Sequence, residues 1–495
     1  MRRAGVLLHP TALPGTPGCG SFGAVAHRWL DLLGDYGITA WQLLPLAPTD
    51  GLGSPYSSPS GFALNPWLLD AELLQADGLI EAADGSALPQ GGDHQRLDLV
   101  LAEQRAQGLA QALLQRYSSW GDETQQRFEH WRHQQRDWLE DHCRFMVLRR
   151  RHAGQPWWQW PAPLARRQAS ALRLLDQQEH DALLQEALVQ WQLQEQWQRL
   201  LDHARQRNVQ VIGDLPFYVA HDSADVWSHR RLFSARRDGR LLEQSGVPPD
   251  YFSATGQLWG TPVYRWPLHR LTRFRWWLRR LERQLSLLDL LRLDHFRALE
   301  AAWCVPGGDR TAENGRWRPS PGRSLLDKLR RCCGAAGLPL IAEDLGVITP
   351  AVEALRDRYR LPGMKILQFA FDGDPKNPYL PANYQGSNWC VYTGTHDNAT
   401  CVGWWQSLGD DQRRQVEQLL GPVHAPGWQL LELALASQAA WAVVPLQDLL
   451  HLGDEARFNT PGTSEGNWSW RLGGGLDQLR GPLQGLGELA RRHQR

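Results

Sequence analysis

Eight short apolar runs, each closed by a turn signal and separated from the next by helical patterning, constrain this 495-residue chain more than any other feature. They are Gly5–His9, Ile38–Leu46, Val209–Leu215, Leu288–Asp294, Leu338–Asp344, Met364–Phe371, Cys390–His396 and Trp441–Leu446. Most are nearly continuous in hydrophobicity rather than alternating, which is how strands of a parallel sheet, covered on both faces, read. Helical spacing lies between them, as in Ala24–Leu33 before the second run and Ser324–Cys333 before the fifth. Strand–helix alternation repeated eight times predicts an α/β fold of the (β/α)8 TIM-barrel type. An open doubly wound sheet is the alternative that the same alternation allows.

A plain barrel needs about 250 residues, so roughly half of the chain must be insertion. Residues 1–495 read as a single barrel with two excursions. The first, 66–205 between the second and third runs, is largely helical, with helical spacing over Leu99–Tyr117 and Thr124–Arg151. In the latter, Trp131, Trp138 and Phe145 recur every seven residues, a stripe that reads as helix packing. The second, 228–270, is rich in Pro, Gly and aromatics and predicts an irregular loop over the barrel mouth. The stretch from Leu472 onward is Gly/Leu-rich and predicts a short terminal helix.

Charge excludes several function classes. Lys+Arg and Asp+Glu both number 53, and no basic block stands out, so there is no electrostatic footprint for nucleic acid or an anionic membrane. No stretch approaches the ~20 apolar residues that span a bilayer, and the run Ala4–Leu8 is too short for a signal-peptide core. Seven scattered cysteines with no CxxC indicate reduced thiols, and cytoplasm is the expected compartment. The unusual count is 25 Trp. Most are expected in the core; those beside Gly, Pro and polar residues could stack on sugar rings.

Polar residues gather at the C-terminal ends of the proposed strands, where barrel enzymes place their chemistry. The third run ends Gly213-Asp214-Leu215-Pro216, the fourth Arg292-Leu293-Asp294-His295-Phe296-Arg297, the fifth Ala342-Glu343-Asp344-Leu345-Gly346 and the seventh Gly394-Thr395-His396-Asp397-Asn398. Two carboxyl groups flanking an acetal can carry out glycoside chemistry, one attacking the anomeric carbon while the other protonates the leaving oxygen. Crowded carboxylates raise one another's proton affinity, and a nearby cation keeps its neighbour ionised. Arg292 shares a strand face with Asp294 through the two-residue period. Asp294 therefore reads as the ionised nucleophile and Glu343 as the acid/base.

These motifs resemble the 4-α-glucanotransferases of glycoside hydrolase family 77, called amylomaltases or disproportionating enzymes, within the α-amylase clan. The resemblance covers essentially the whole chain. Further carriers are Ser54-Pro55-Tyr56 with Asn65-Pro66, Asp222-Ser223-Ala224-Asp225-Val226-Trp227, and Pro248-Pro249-Asp250-Tyr251-Phe252 through Gly256-Gln257-Leu258-Trp259-Gly260. The resemblance implies a covalent glycosyl-enzyme on Asp294, Glu343 as general acid/base, and Asp397 stabilising the oxocarbenium-like transition state. It implies that Arg292, His396 and Asp214 hold the same sugar, and that a loop bearing Asp250, Phe252, Gln257 and Trp259 touches glucan above the site. Tyr56, Asp372 and Asn467 match further glucan contacts. One departure is Thr49-Asp50-Gly51-Leu52-Gly53, which lacks the tyrosine that the family often carries there for a second glucan groove.

The expected function is transfer of α-1,4-glucan segments between maltooligosaccharide donors and acceptors with retention of configuration. The substrate supplies its own leaving group, so neither an organic cofactor nor a metal is expected. No HExxH or His-x-His pair accompanies His295 and His396. The chain is expected to be a monomer or weak homo-oligomer. An α-glucan hydrolase using the same residues with water as acceptor is the nearest alternative, and a non-catalytic glucan-binding scaffold is a different class. Asp344 is expected to be structural, and Asp222 and Asp225 to cap or brace a helix start. Gly462-Thr463-Ser464-Glu465-Gly466 has the letters of a nucleophile elbow without its strand–turn–helix context, and reads as a loop.

Overall fold

The structure, a computed structural model, describes residues 2–93, 95–249, 253–334, 337–463 and 465–495. Its strands in chain order are β1 (Arg3–Leu7), β2 (Ala40–Gln42), β3 (Gln210–Leu215), β4 (Glu243–Val247), β5 (Gln257–Pro262), β6 (Leu290–Leu293), β7 (Ala301–Pro306), β8 (Arg316–Pro319), β9 (Leu340–Ala342), β10 (Gly363–Ile366), β11 (Trp389–Tyr392) and β12 (Trp441–Pro445). Eight of them close into a parallel barrel in the order β1-β12-β11-β10-β9-β6-β3-β2. Each lies inside one of the eight apolar runs, apart from a residue or two at a few ends, so the TIM-barrel expectation holds and the open sheet is excluded. Closure leaves no sheet edge, and both strand faces are covered.

The barrel interior is a small core of its own. Leu7, Ala40, Ile212, Ile341, Met364, Ile366, Cys390, Tyr392 and Val443 meet there, one or two from almost every strand. Tyr392 donates its hydroxyl to Gln42 Oε1 (2.8 Å), which satisfies both buried groups. Gly5 is needed for clearance, because a Cβ there would stand 2.7 Å from the Ala40 Cβ. A larger core fills the space between the strands and the surrounding helices, and Trp29, Trp41, Trp157, Trp197, Trp227 and Trp277 are fully buried.

Between β2 and β3 the chain is mainly helical. Leu99–Arg116 starts where the Asp98 side chain accepts the Leu101 N–H, and Asp122–Arg151 carries the heptad stripe. Trp131 and Phe145 of that stripe are buried, and Trp138 stacks on Phe62 (centroids 6.5 Å). The helix His180–Gln206 is tied to the preceding chain by two buried glutamines. Gln190 pairs with both the N–H and C=O of Leu64 (2.9 and 2.8 Å), and Gln196 does the same with Asp70 (2.9 and 3.0 Å). A primary amide has the donor–acceptor spacing of a backbone unit, so each glutamine acts as one rung of a sheet.

The segment 228–270 differs from the expected irregular loop. It contributes β4 and β5 to an antiparallel sheet of order β5-β4-β7-β8, completed by strands that follow β6. The alternation there is weak because much of this sheet is solvated: β8 is exposed throughout and β5 along half of its length. The terminal helix is Arg480–Arg492. Ser223, not an aspartate, caps the helix Ala224–His229. Asp222 instead accepts the Trp157 N–H and Asp225 the Gly61 N–H, so both brace distant loops.

Candidate active site

β3 and β6 are parallel neighbours with Asp214 and Arg292 in register. Alignment at the upper ends of two buried strands brings their side chains together, and Arg292 Nη1 donates to Asp214 Oδ2 at 2.6 Å. The same nitrogen lies 3.0 Å from Asp294 Oδ1, two residues on and on the same face. Tyr56 donates its hydroxyl to Asp214 Oδ2 (2.8 Å). Burial, and next Asp214 itself, raise the phenol well above its ordinary range, so it remains a donor.

Glu343 follows β9 and is aimed by backbone. His295 N–H donates to Glu343 Oε2 (2.6 Å) and Leu345 N–H to Glu343 Oε1 (3.2 Å). His295 takes the left-handed conformation (φ 50°), which turns its N–H toward the next strand end. Asp344 points away from the cluster, accepting Arg356 Nη1 (2.5 Å) and the Met364 N–H (2.7 Å), the structural role expected of it.

Asp397 sits after β11. His396 Nε2 is 3.3 Å from Asp397 Oδ2, and Asn459 Nδ2 donates to Asp397 Oδ1 (2.6 Å). Arg457 Nη2 holds the Asp397 carbonyl (2.6 Å). The His396 ring stacks on Tyr56 (5.2 Å, 11° between planes), with Trp468 beside both. Burial holds His396 below its ordinary pKa, so it is neutral at neutral pH. A small open pocket is lined by Tyr56, Asp214, Tyr218 and Arg280.

Burial raises the proton affinity of both catalytic candidates, Glu343 above its ordinary range and Asp294 to about 8. Arg292 opposes the rise at Asp294, but Asp214, Glu343 and Asp397 add to it. The physical reason is that Arg292 is shared. It is closer to the fully buried Asp214 carboxylate, and its charge is largely offset there. Asp294, 30% exposed, receives what remains, while the N–H donors on Glu343 favour its ionised form. Burial and crowding therefore raise the affinity of the pair for a proton, not that of Glu343 alone.

Other expected residues are placed unevenly. Gln257 and Trp259 share a face of β5, and the Trp259 ring meets His295 edge-on at 4.8 Å, beside Asp294. Asp250 and Phe252 lie outside the described residues. Asp372 is exposed in the loop after β10, its carboxylate accepting the Asp374 N–H (3.0 Å), and among the described residues no hydrogen bond or ion pair joins it to the cluster. Asn467 spends its amide within its own loop, on the Thr460 N–H and Thr463 C=O. The residues of this loop that reach the cluster are Asn459, Arg457 and Trp468. No sequence signal marked them, since they return to the site 60 or more residues after Asp397 through a turn-rich segment. Among the described residues, no group of three or more His, Cys, Asp or Glu is placed to hold a metal ion.

Asn459→Ala is expected to lower kcat about tenfold with little change in Tm, because Asp397 loses its shortest donor while Arg457 still fixes its backbone. Steady-state kinetics on maltotriose beside a thermal melt would check this.

A family model described as 4-alpha-glucanotransferase, glycoside hydrolase family 77, matches residues 8–477. The 4-alpha-glucanotransferase of Synechocystis sp. is 44% identical over 488 residues, covering 98% of this chain and 96% of the relative. That of Thermus thermophilus is 43% identical over 480 residues, 95% of each chain. Among solved structures, the amylomaltase from Streptococcus agalactiae in complex with acarbose matches at a TM-score of 0.95 and 32% identity, over 100% of both chains. With the closed barrel and the carboxylates at its strand ends, these similarities leave one conclusion: the chain belongs to glycoside hydrolase family 77, the 4-alpha-glucanotransferases.

Proposed function

We propose that this 4-alpha-glucanotransferase works by retaining double displacement, with Asp294 as nucleophile, Glu343 as acid/base and Asp397 stabilising the transition state. The observation that carries the reading is the arrangement around Arg292 and Glu343: one buried cation serving Asp214 and Asp294, opposite a carboxyl aimed by two backbone N–H groups. In the first step an Asp294 oxygen bonds to the anomeric carbon while the Glu343 proton passes to the departing glycosidic oxygen. In the second step Glu343 takes the proton of an acceptor hydroxyl, which displaces Asp294 and restores the α-linkage. Positive charge developing at the sugar favours ionised Asp294, so substrate draws the pair's proton onto Glu343.

The donor and acceptor are maltooligosaccharides. Tyr56, Asp214, Arg292 and His396 hold the sugar at the cleavage point, and Gln257 and Trp259 contact glucan from above, with Asp250 and Phe252 in the same loop. Asp372 and Asn467 act farther along the cleft. Water at ~55 M competes for the intermediate, and the sugar hydroxyl prevails by effective concentration in a covered acceptor site. No helix among the described residues is long and apolar enough to cross a membrane, which fits the proposed cytoplasmic role.

Maltotriose alone, with products separated by length, tests this. Glucose with maltotetraose, maltopentaose and longer chains is the expected result. Glucose and maltose only would mean hydrolysis, and no reaction would mean a binding protein. A pH profile tests the raised proton affinity of the pair: kcat/KM should fall on the alkaline side near pH 8 as the pair loses its proton. A plateau continuing beyond pH 9.5 would sink that reading.

A further inference from the structure

We infer that Arg297 is a positioning residue that sets the reach of Glu343, an inference that rests on Glu343 being the acid/base. Arg297 ends the motif that begins at Arg292, yet it takes no part in the carboxylate cluster. It is buried, and its Nη1 donates to the Val347 C=O at 2.6 Å. Its guanidinium lies over the Trp317 ring of β8, 3.6 Å from the ring centroid, and Trp317 in turn meets Trp303 of β7 edge-on at 5.2 Å. Among the described residues no ion pair engages it, so its donors and its flat face serve geometry rather than charge balance.

Val347 is four residues beyond Glu343. Its side chain is 69% exposed, so packing of that side chain does not fix the outer end of the acid/base loop. The segment 295–297 grips the segment 343–347 at three points. His295 N–H holds Glu343 Oε2, Phe296 N–H holds the Glu343 C=O (3.1 Å), and Arg297 holds Val347. Only the third of these uses a side chain of the segment 295–297. The Leu345 N–H that binds Glu343 Oε1 lies between the two anchored ends. Freeing Val347 lets this loop swing, and the carboxyl loses one of the two donors that aim it. A guanidinium can stack on an indole and donate in its own plane at once, which an ammonium cannot do. Arg297 thus joins three elements: the nucleophile strand end, the acid/base loop and the antiparallel sheet.

The test separates acid/base catalysis from the rest of the reaction. Maltotriose needs a proton on its leaving oxygen. α-Maltosyl fluoride does not, since fluoride leaves as the anion, and azide as acceptor needs no base. Arg297→Gln should lose about 30-fold in kcat on maltotriose and keep fluoride-plus-azide turnover within about threefold. Arg297→Lys should fall between, and Trp317→Ala, at a 37% exposed position that folding tolerates, should show the same split at about fivefold. A parallel loss on both donors, or no loss on either, overturns the inference; if the Arg297 variants do not fold, Trp317→Ala decides by the same criterion. Glu343→Gln is the control. If it shows no split, the acid/base assignment fails; if it splits and the Arg297 and Trp317 variants do not, only the positioning role is lost.

Discussion

Asp294→Asn should erase the maltooligosaccharide ladder, with kcat on maltotriose falling about 10⁴-fold or more, while the protein stays folded. An amide oxygen at this position cannot form the glycosyl ester, and the activated fluoride donor should not rescue it, in contrast to Glu343→Gln. A second effect has the opposite sign. The Asp294 carboxyl is raised from 3.8 to about 8 by burial and its carboxylate neighbours. The folded protein therefore binds a proton that the unfolded chain releases at lower pH. The stability linked to this group is fully present below pH 3.8 and is lost as pH climbs through about 8. Asparagine removes that loss, so the inactive variant should be the more stable one at pH 8, by about 1 kcal/mol, a single pKa unit's worth for a partly exposed group. The advantage should vanish toward pH 4. Denaturant titrations of both proteins at the two pH values would show it, and equal stability at pH 8 would contradict the crowded-carboxylate picture.

Arg292→Met should be costly in both stability and activity. The Asp214 side chain is fully buried and the Arg292 side chain nearly so, at 5% exposure. Methionine fills a similar volume but leaves a buried carboxylate with Tyr56 as its remaining donor. Breaking a buried pair in this way costs about 3–5 kcal/mol. Turnover should fall by ~10³-fold or more, since Asp294 loses the cation paired with it among the described residues and its proton becomes harder to displace. Lysine should not restore function in full, because its flexible stem does not hold the ammonium at the one point where Arg292 Nη1 reaches both carboxylates. The double variant Asp214→Asn/Arg292→Met separates the two effects: stability should largely return, since no uncompensated charge remains, while activity should not. Stability unchanged in Arg292→Met alone would contradict a load-carrying buried pair between Arg292 and Asp214.

The barrel was legible because its strands are buried on both faces, so each appears as an unbroken apolar run ending in a turn. Leu340–Ala342 shows how little was needed: three strand residues inside a seven-residue run ending in Glu343-Asp344. The sheet over the mouth was not legible. Trp259 and Trp317 are aromatic and exposed on its strands, and the Gly and Pro residues around them read as loop. At the site, acidic residues at strand ends stood out, since a carboxylate closing an apolar run has few other reasons to be there. What sequence spacing could not show was competition for Arg292. Asp294 is two residues from it and Asp214 is 78 residues away, yet the barrel register gives the distant carboxylate the shorter bond. Asn459 and Trp468 were hidden for the same reason, as their partners are set by how a late loop folds back and not by any local pattern.

The two glutamines of the helix His180–Gln206 bear on how far this enzyme can be reduced. Each supplies a donor and an acceptor to backbone that has no other strand to pair with, at Leu64 and at Asp70. Asp70 in turn accepts from Ser21 and starts the following helix. The helix His180–Gln206 is therefore not ornament hung on a finished barrel but part of what holds the connection between β2 and β3 in place. Cutting that helix away would take the glutamine partners from the Leu64 and Asp70 main chain and bare the tryptophan-lined flank beneath.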